Sequence, residues 1–164
     1  MAKRGKQSGP KGPKNLTASI APAPKPYAVH MTASAEQVYV DLKQKSDAAQ
    51  ARGDESNQHC TTFRMVDDAI RRIIPADPTN RKYALHKPLN DVYRIAKGRM
   101  RIAWIISKDS RELLIVFISV ELRKEGDARD PYAILNSMHR AGLLQKIADD
   151  WHRALYTPPD ASVN

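Results

Sequence analysis

Cysteine, aromatic residues and long apolar runs are all scarce in this 164-residue chain, and each scarcity excludes something. A lone Cys60 cannot close an internal disulfide and supplies no thiolate cluster for a structural zinc, so a reducing cytoplasm is the expected compartment. The longest apolar run, Leu113 to Ile118, falls far short of the roughly 20 residues a spanning helix needs, and no transmembrane helix is expected. Lys3, Arg4 and Lys6 open the chain with no apolar stretch behind them, which does not read as a secretory signal. His30, His59, His86 and His152 show no H-x-x-x-H or Cys/His ligand spacing, so neither a metal nor another cofactor is expected. The most informative absence is of acid: residues 1–30 hold six Lys or Arg and no Asp or Glu.

Over the whole sequence 27 Lys and Arg face 18 Asp and Glu, a formal net charge of +9. Residues 81–101 carry seven basic side chains against one acid, while the flanking stretches are close to neutral or slightly acidic. There are thus two basic zones, one in a tail and one inside the body. Residues 1–26 are broken by Pro10, Pro13, Pro22, Pro24 and Pro26 and offer little to bury, so they are expected to be disordered. Such a tail is either a solubilising linker, the commoner case, or an arm attracted to a polyanion. The body, residues 27–157, reads as a single domain, followed by a flexible end over 158–164.

Ser34 with Gln37 gives a capping-box pattern, and Val38, Leu42 and Ala49 recur at helical spacing, predicting a helix over 34–52 that Gly53 ends. Phe63, Val66, Ile70 and Ile73 mark the apolar face of a second helix over 57–74, stopped by Pro75 and Pro78. A hairpin follows: Val92 to Lys97 and Arg99 to Ser107 alternate around a turn taken as Lys97 and Gly98. Leu113 to Val120 is apolar on both faces and reads as a central strand. A short strand near Tyr27 to Met31 completes the sheet. Asp130 before Pro131 starts a helix carrying Ile134, Leu135 and Met138, which Gly142 ends, and a last helix carries Leu144, Ile147, Trp151 and Leu155. The class is α+β: a small antiparallel twisted sheet with two N-terminal helices packed on it and C-terminal helices.

With Lys97 and Gly98 as turn residues, Arg94 would stand directly opposite Arg101. Tyr93, Ile95, Met100, Ile102, Trp104 and Ile106 would share one face, with Arg94, Arg99 and Arg101 on the other. Like charges directly opposed destabilise a sheet, so something must offset them. Acidic neighbours such as Glu121 or Asp130 could do so. A phosphate could as well, since guanidinium matches it with paired hydrogen bonds.

The series Val92-Tyr93-Arg94-Ile95, Arg99-Met100-Arg101-Ile102-Ala103-Trp104, Ile118-Ser119-Val120-Glu121-Leu122-Arg123 and Asp130-Pro131-Tyr132 resembles the RelE-like toxins of bacterial toxin–antitoxin systems. It is most similar to the YhaV-type ribonuclease toxins. Leu122, Arg123, Gly126, Asp130 and Tyr132 match their L-R-x-x-G-x-x-x-D-x-Y pattern, and Met138, Gly142 and Trp151 match features downstream. The resemblance covers about residues 27–155. It implies a RelE-like fold and a metal-independent endoribonuclease that cleaves mRNA, on the ribosome in many members, and is neutralised by a cognate antitoxin. By matched position, Arg94 and Arg101 would clamp the scissile phosphate, Arg123 would join from the end of the central strand, and Tyr132 would stack on a base or transfer a proton. Arg99, Lys97, Lys124 and His139 are further RNA-binding candidates.

One position departs from the pattern. RelE carries a lysine two residues after the position of Arg94, where this chain has Ala96, and Lys97 beside it points to the other face of a regular strand. Lys124, His139 or Tyr132 are then the candidates for the general base. Several of these residues have plainer readings: Asp130 as a helix cap, Tyr132 as a packing residue, His139 as a surface residue, Trp104 and Trp151 as core, Cys60 as a small buried side chain. Two other functions stay open, a ParE-like toxin that binds DNA gyrase without cutting nucleic acid, and a plain nucleic-acid-binding module led by the tail.

Overall fold

A computed structural model describes residues 25–107, 110–120 and 131–156. The expected disordered tail as far as residue 24, residues 108 and 109, the stretch 121–130 with Glu121, Arg123, Lys124 and Asp130, and residues 157–164 lie outside the described residues.

Strand β1 (Ala28–Met31) leads into α1 (Ala33–Ala51), and α2 (Gln58–Asp68) continues through a π-helical turn, Ala69–Ile73, into the short α3 (Ile74–Ala76). The hairpin β2 (Tyr93–Lys97) and β3 (Met100–Ile106), strand β4 (Glu112–Ser119) and helices α4 (Pro131–Arg140) and α5 (Leu143–Tyr156) complete the described chain. The sheet order is β1-β4-β3-β2, which puts β4 inside, as its two-sided apolar run requires. Three strands are antiparallel; β1 joins β4 in parallel, so the sheet is mixed where an antiparallel one was expected. Helices α1 to α3 and a hairpin separate β1 from β4, ample chain for the crossover a parallel pair needs.

Helix α1 begins at Ala33, one residue before the expected span 34–52, and its cap lies two residues before Ser34. Thr32, not Ser34, is the cap, its Oγ1 accepting the Ala35 N–H at 3.3 Å. The reason is tertiary: the Thr32 N–H donates to the Ile115 carbonyl at 3.0 Å, so the last rung of the sheet fixes where the helix starts. Gly53, at φ 77°, ends α1 as expected. Pro75 does not stop the second helix before it but lies inside α3. The π-turn upstream lets the Ile74 N–H bond the Ala69 carbonyl five residues back, a wider turn than an α-helix allows next to the proline ring.

The sheet is covered on both faces. In a first core, Leu42, Val66, Ile70 and Ile74 pack on Ile95, Met100, Ile102, Trp104, Leu113, Ile115 and Ile118. Trp104, fully buried as expected, donates its Nε1–H to the Pro78 carbonyl at 3.1 Å and stacks on Tyr93. On the other face, in a second core, Leu135, Leu144 and Trp151 cover Val92, Ala103, Ile105, Leu114 and Val116. Cys60 is buried on α2, its thiol directed at the Ser46 carbonyl.

Candidate functional site

The β2–β3 turn is Gly98–Arg99, because Lys97 pairs with Met100. Gly98 takes φ 53°, and among the described residues no non-glycine has a positive φ. Glycine first in a two-residue turn is the arrangement that matches strand twist without straining Arg99. The expected register with Lys97 and Gly98 in the turn is therefore corrected: Arg94 stands opposite Ala103, and Arg101 opposite Ala96. The sorting of faces survives, since Ile95, Met100, Ile102 and Trp104 lie in the first core. The head-on arginine pair does not. Arg94 and Arg101 are diagonal neighbours, each facing an alanine, which relieves the repulsion without any carboxylate.

Two rows of side chains cross the sheet on this face. One runs Arg94, Ala103, Phe117 and the next Ala96, Arg101, Ser119. They continue the face on which Val92, Ala103, Ile105, Leu114 and Val116 are covered by α4 and α5. The covered half is apolar, and the half beyond it carries the arginines. Arg94 and Arg101 are half-buried and Arg99 is exposed on the turn. The Arg101 Nη1 donates at 2.7 Å to the carbonyls of both Gly98 and Met100, which bends its guanidinium back over the turn.

Among the described residues the ion pairs of Lys43, Arg71, Arg72, Lys146 and Arg153 run to carboxylates along their own helices, and none engages Arg94, Arg99 or Arg101. These helical pairs hold the Asp68 and Asp150 carboxyls below their usual range, through Arg72 and Lys146 respectively. Those acids are engaged on helix surfaces, away from Arg94, Arg99 and Arg101.

Other candidates are placed as follows. Lys97 shares the face of Tyr93 and Ile95, and its charge acts on Asp68 of α2, so it is not brought to Arg94 and Arg101. Tyr132, on the first turn of α4, is half-buried against the second core together with Phe117. His139 is exposed on the last turn of α4 and lines a cavity of about 400 Å³ floored by Leu89, Val92, Ile105 and Leu144. Seven residues of helix separate it from Tyr132, about 10 Å along the axis. Phe117 and Ser119 on the arginine face were not anticipated. They arrive there because Val116 is an extra residue in β4, between the pairs Ala103–Phe117 and Trp104–Ile115. An unbroken apolar run has no alternation to interrupt, so nothing in the sequence marks that bulge.

A family profile described as a toxin with endonuclease activity, of toxin–antitoxin systems (Toxin_YhaV), matches residues 28–157. No curated protein matches the sequence. Among solved structures, the isolated RelE toxin of E. coli is similar with a TM-score of 0.44 at 11% identity, over 70% of this chain and 98% of that one. The RelBE2 toxin–antitoxin complex of Mycobacterium tuberculosis is similar with a TM-score of 0.42 at 15% identity, over 57% of this chain and 88% of that one.

Proposed function

Because this chain belongs to the YhaV family of toxins, endonucleases of toxin–antitoxin systems, we propose that its substrate is mRNA, cut without a metal and in association with the ribosome, so that translation stops. Its partners are then that mRNA and a cognate antitoxin protein, and its compartment is the cytoplasm. The observation that carries the reading is the diagonal pair Arg94 and Arg101, half-buried, each opposite an alanine, and engaged by no described carboxylate.

The chemistry follows from what guanidinium can do. Attack of a ribose 2′-hydroxyl on the adjacent phosphate builds negative charge on a pentavalent phosphorane and releases a 5′-oxygen that must gain a proton. Arginine stays protonated and is a poor base, but donors already aimed at the developing charge stabilise it without reorganising. Arg94 and Arg101 take that role, Arg99 and Lys124 add attraction for the backbone, and Arg123 joins from beyond β4. Tyr132 meets the base or relays the proton. The body over residues 27–157 carries the activity and the basic tail is an accessory.

Purified protein incubated with naked RNA and with translating ribosomes, with chelator in both, tests this. RNA scission in chelator, greater with ribosomes and lost in Arg94→Ala, is the expected result, and a variant lacking residues 1–26 should still cut. Scission only when a divalent metal is restored refutes the metal-free mechanism. Induced cells that accumulate DNA damage while keeping their mRNA refute the choice of substrate.

A further inference from the structure

The bulge in β4 decides what stands beside the arginines. Ile115 packs in the first core, so strict alternation would return Phe117 to that side and turn Ile118 away from it. With Val116 unpaired the order inverts: Ile118 enters the first core, while Phe117 stands opposite Ala103 and Ser119 opposite Arg101. Bulges of this kind re-aim side chains beside functional sites.

The bulge is held from outside the sheet. Thr32 donates its N–H to the Ile115 carbonyl at 3.0 Å and its Oγ1–H to the Val116 carbonyl at 3.3 Å. The same Oγ1 accepts from the Ala35 N–H and lies 3.2 Å from the Ser34 hydroxyl. One side chain therefore caps α1 and satisfies the carbonyl of the unpaired residue.

We propose that Phe117 and Ser119 form a nucleobase subsite beside the arginine pair, and that Thr32 positions it by holding the bulge; this rests on the ribonuclease reading above. Arg94, Ala103 and Phe117 share one row over three adjacent strands, which spaces Arg94 and Phe117 about 10 Å apart, two strand spacings. The small Ala103, buried at 1% exposure, lies between them. A phosphate held at Arg94 leaves its base within reach of the half-buried Phe117 ring, a stacking surface that any base can use. In the neighbouring row the Ser119 hydroxyl can donate to or accept from the edge of that base.

Two fluorescent probes of equal length test the subsite: a single-stranded RNA made uncleavable by 2′-O-methylation, and an abasic sugar-phosphate oligomer. Wild-type protein should prefer the RNA. Phe117→Leu, which keeps an apolar side chain against the second core, should weaken RNA binding roughly tenfold, the scale of one lost stack, and leave the abasic oligomer unchanged. Phe117→Tyr should restore the preference. Thr32→Val should lose it in the same way, and Thr32→Ser should regain it, which a merely structural role would not show as a base-specific effect. Equal wild-type affinity for both probes overturns the proposal before any variant is made. So does a Phe117→Leu variant that keeps wild-type RNA affinity, or one that loses both probes together. Arg94→Ala should weaken both probes alike; if it weakens neither, the arginine reading itself fails, whatever Phe117 does.

Discussion

Removing one guanidinium from the arginine face should separate catalysis from stability, with a different sign for each arginine. Diagonal neighbours on adjacent strands are about 7–8 Å apart, where two unit charges in water repel by about 0.6 kcal/mol, less at physiological salt with its Debye length of about 8 Å. Arg94 makes no hydrogen bond or ion pair among the described residues that would offset this, so Arg94→Ala should leave stability unchanged or raise it by a few tenths of a kcal/mol. Arg101→Ala relieves the same repulsion but forfeits two 2.7 Å bonds to the Gly98 and Met100 carbonyls. Those groups are exposed or half-buried, so the net loss should be about 1 kcal/mol. Cleavage should behave otherwise: on the proposed role each variant removes a donor to transition-state charge, an effect of about 10²–10³ in rate. Urea denaturation at low and high salt, paired with single-turnover cleavage of RNA, reads both quantities. A double-mutant cycle should give a coupling below about 0.5 kcal/mol that shrinks with salt, as diagonal placement demands. An Arg94→Ala protein destabilised by about 2 kcal/mol or more, or either variant cutting at the wild-type rate, would refute the reasoning.

Gly98→Ala should cost about 1 kcal/mol by thermal denaturation and Gly98→Asn less, because the position has φ 53° but open space around it, so only backbone strain opposes a side chain; equal stability of all three would mean the turn is not as described. Leu135→Ala should cost about 2–5 kcal/mol in the same assay, since Leu135 is fully buried where α4 meets the sheet. Burial opposes ionisation of Asp67, yet hydrogen bonds from the Tyr39 hydroxyl and the Arg71 guanidinium, each 2.6 Å, outweigh it and hold the carboxyl below its usual range. Its stabilising contribution is therefore present above the ordinary carboxylate pKa, about 4, and is lost as pH falls through the lower folded value. Tyr39→Phe should show a shallower loss of stability between about pH 5 and 2, and an unchanged slope would count against the network.

Side-chain periodicity carried most of the fold and the common face of Arg94 and Arg101 in the candidate site. Helices α1 and α2, the hairpin, the inner strand and the two C-terminal helices are all visible as apolar spacing bounded by Gly53, Pro78 and Gly142. Three features were hidden because their causes are not local. The cap at Thr32 is chosen by a hydrogen bond to Ile115, 83 positions away in the sequence. The hairpin register depends on whether Gly98, with its positive φ, is the second or the first of the two turn residues, and a shift of one residue turned a head-on arginine pair into a diagonal one. The parallel docking of β1 on β4 depends on a partner that periodicity within four residues cannot name. At the site, Arg94 and Arg101 were legible because two-residue alternation puts them on one face in either register. Phe117 and Ser119 were not, because the bulge that turns them lies in a strand apolar on both sides.

The corrected register also sharpens the question of the base. Lys97 follows Tyr93 and Ile95 on the first-core face of β2, and that position is enough to remove it: its amine acts on Asp68 and lies across the sheet from Arg94 and Arg101. Ala96 instead occupies the arginine face, exposed and directly opposite Arg101. Ala96→Lys would therefore set an amine between two guanidinium groups, whose like charge lowers its pKa and makes a neutral amine available nearer to physiological pH. The cost in sheet stability should be about 0.2–1 kcal/mol for the new opposed pair. If this face lacks only a base, the variant should cleave RNA faster than wild type and extend its pH–rate profile toward neutrality, with Ala96→Met as the control for bulk. A profile identical to wild type across the pH range would mean that proton transfer is already supplied from outside the two rows, by Tyr132 or by residues beyond β4, and would remove the base from the list of what the sheet itself must provide.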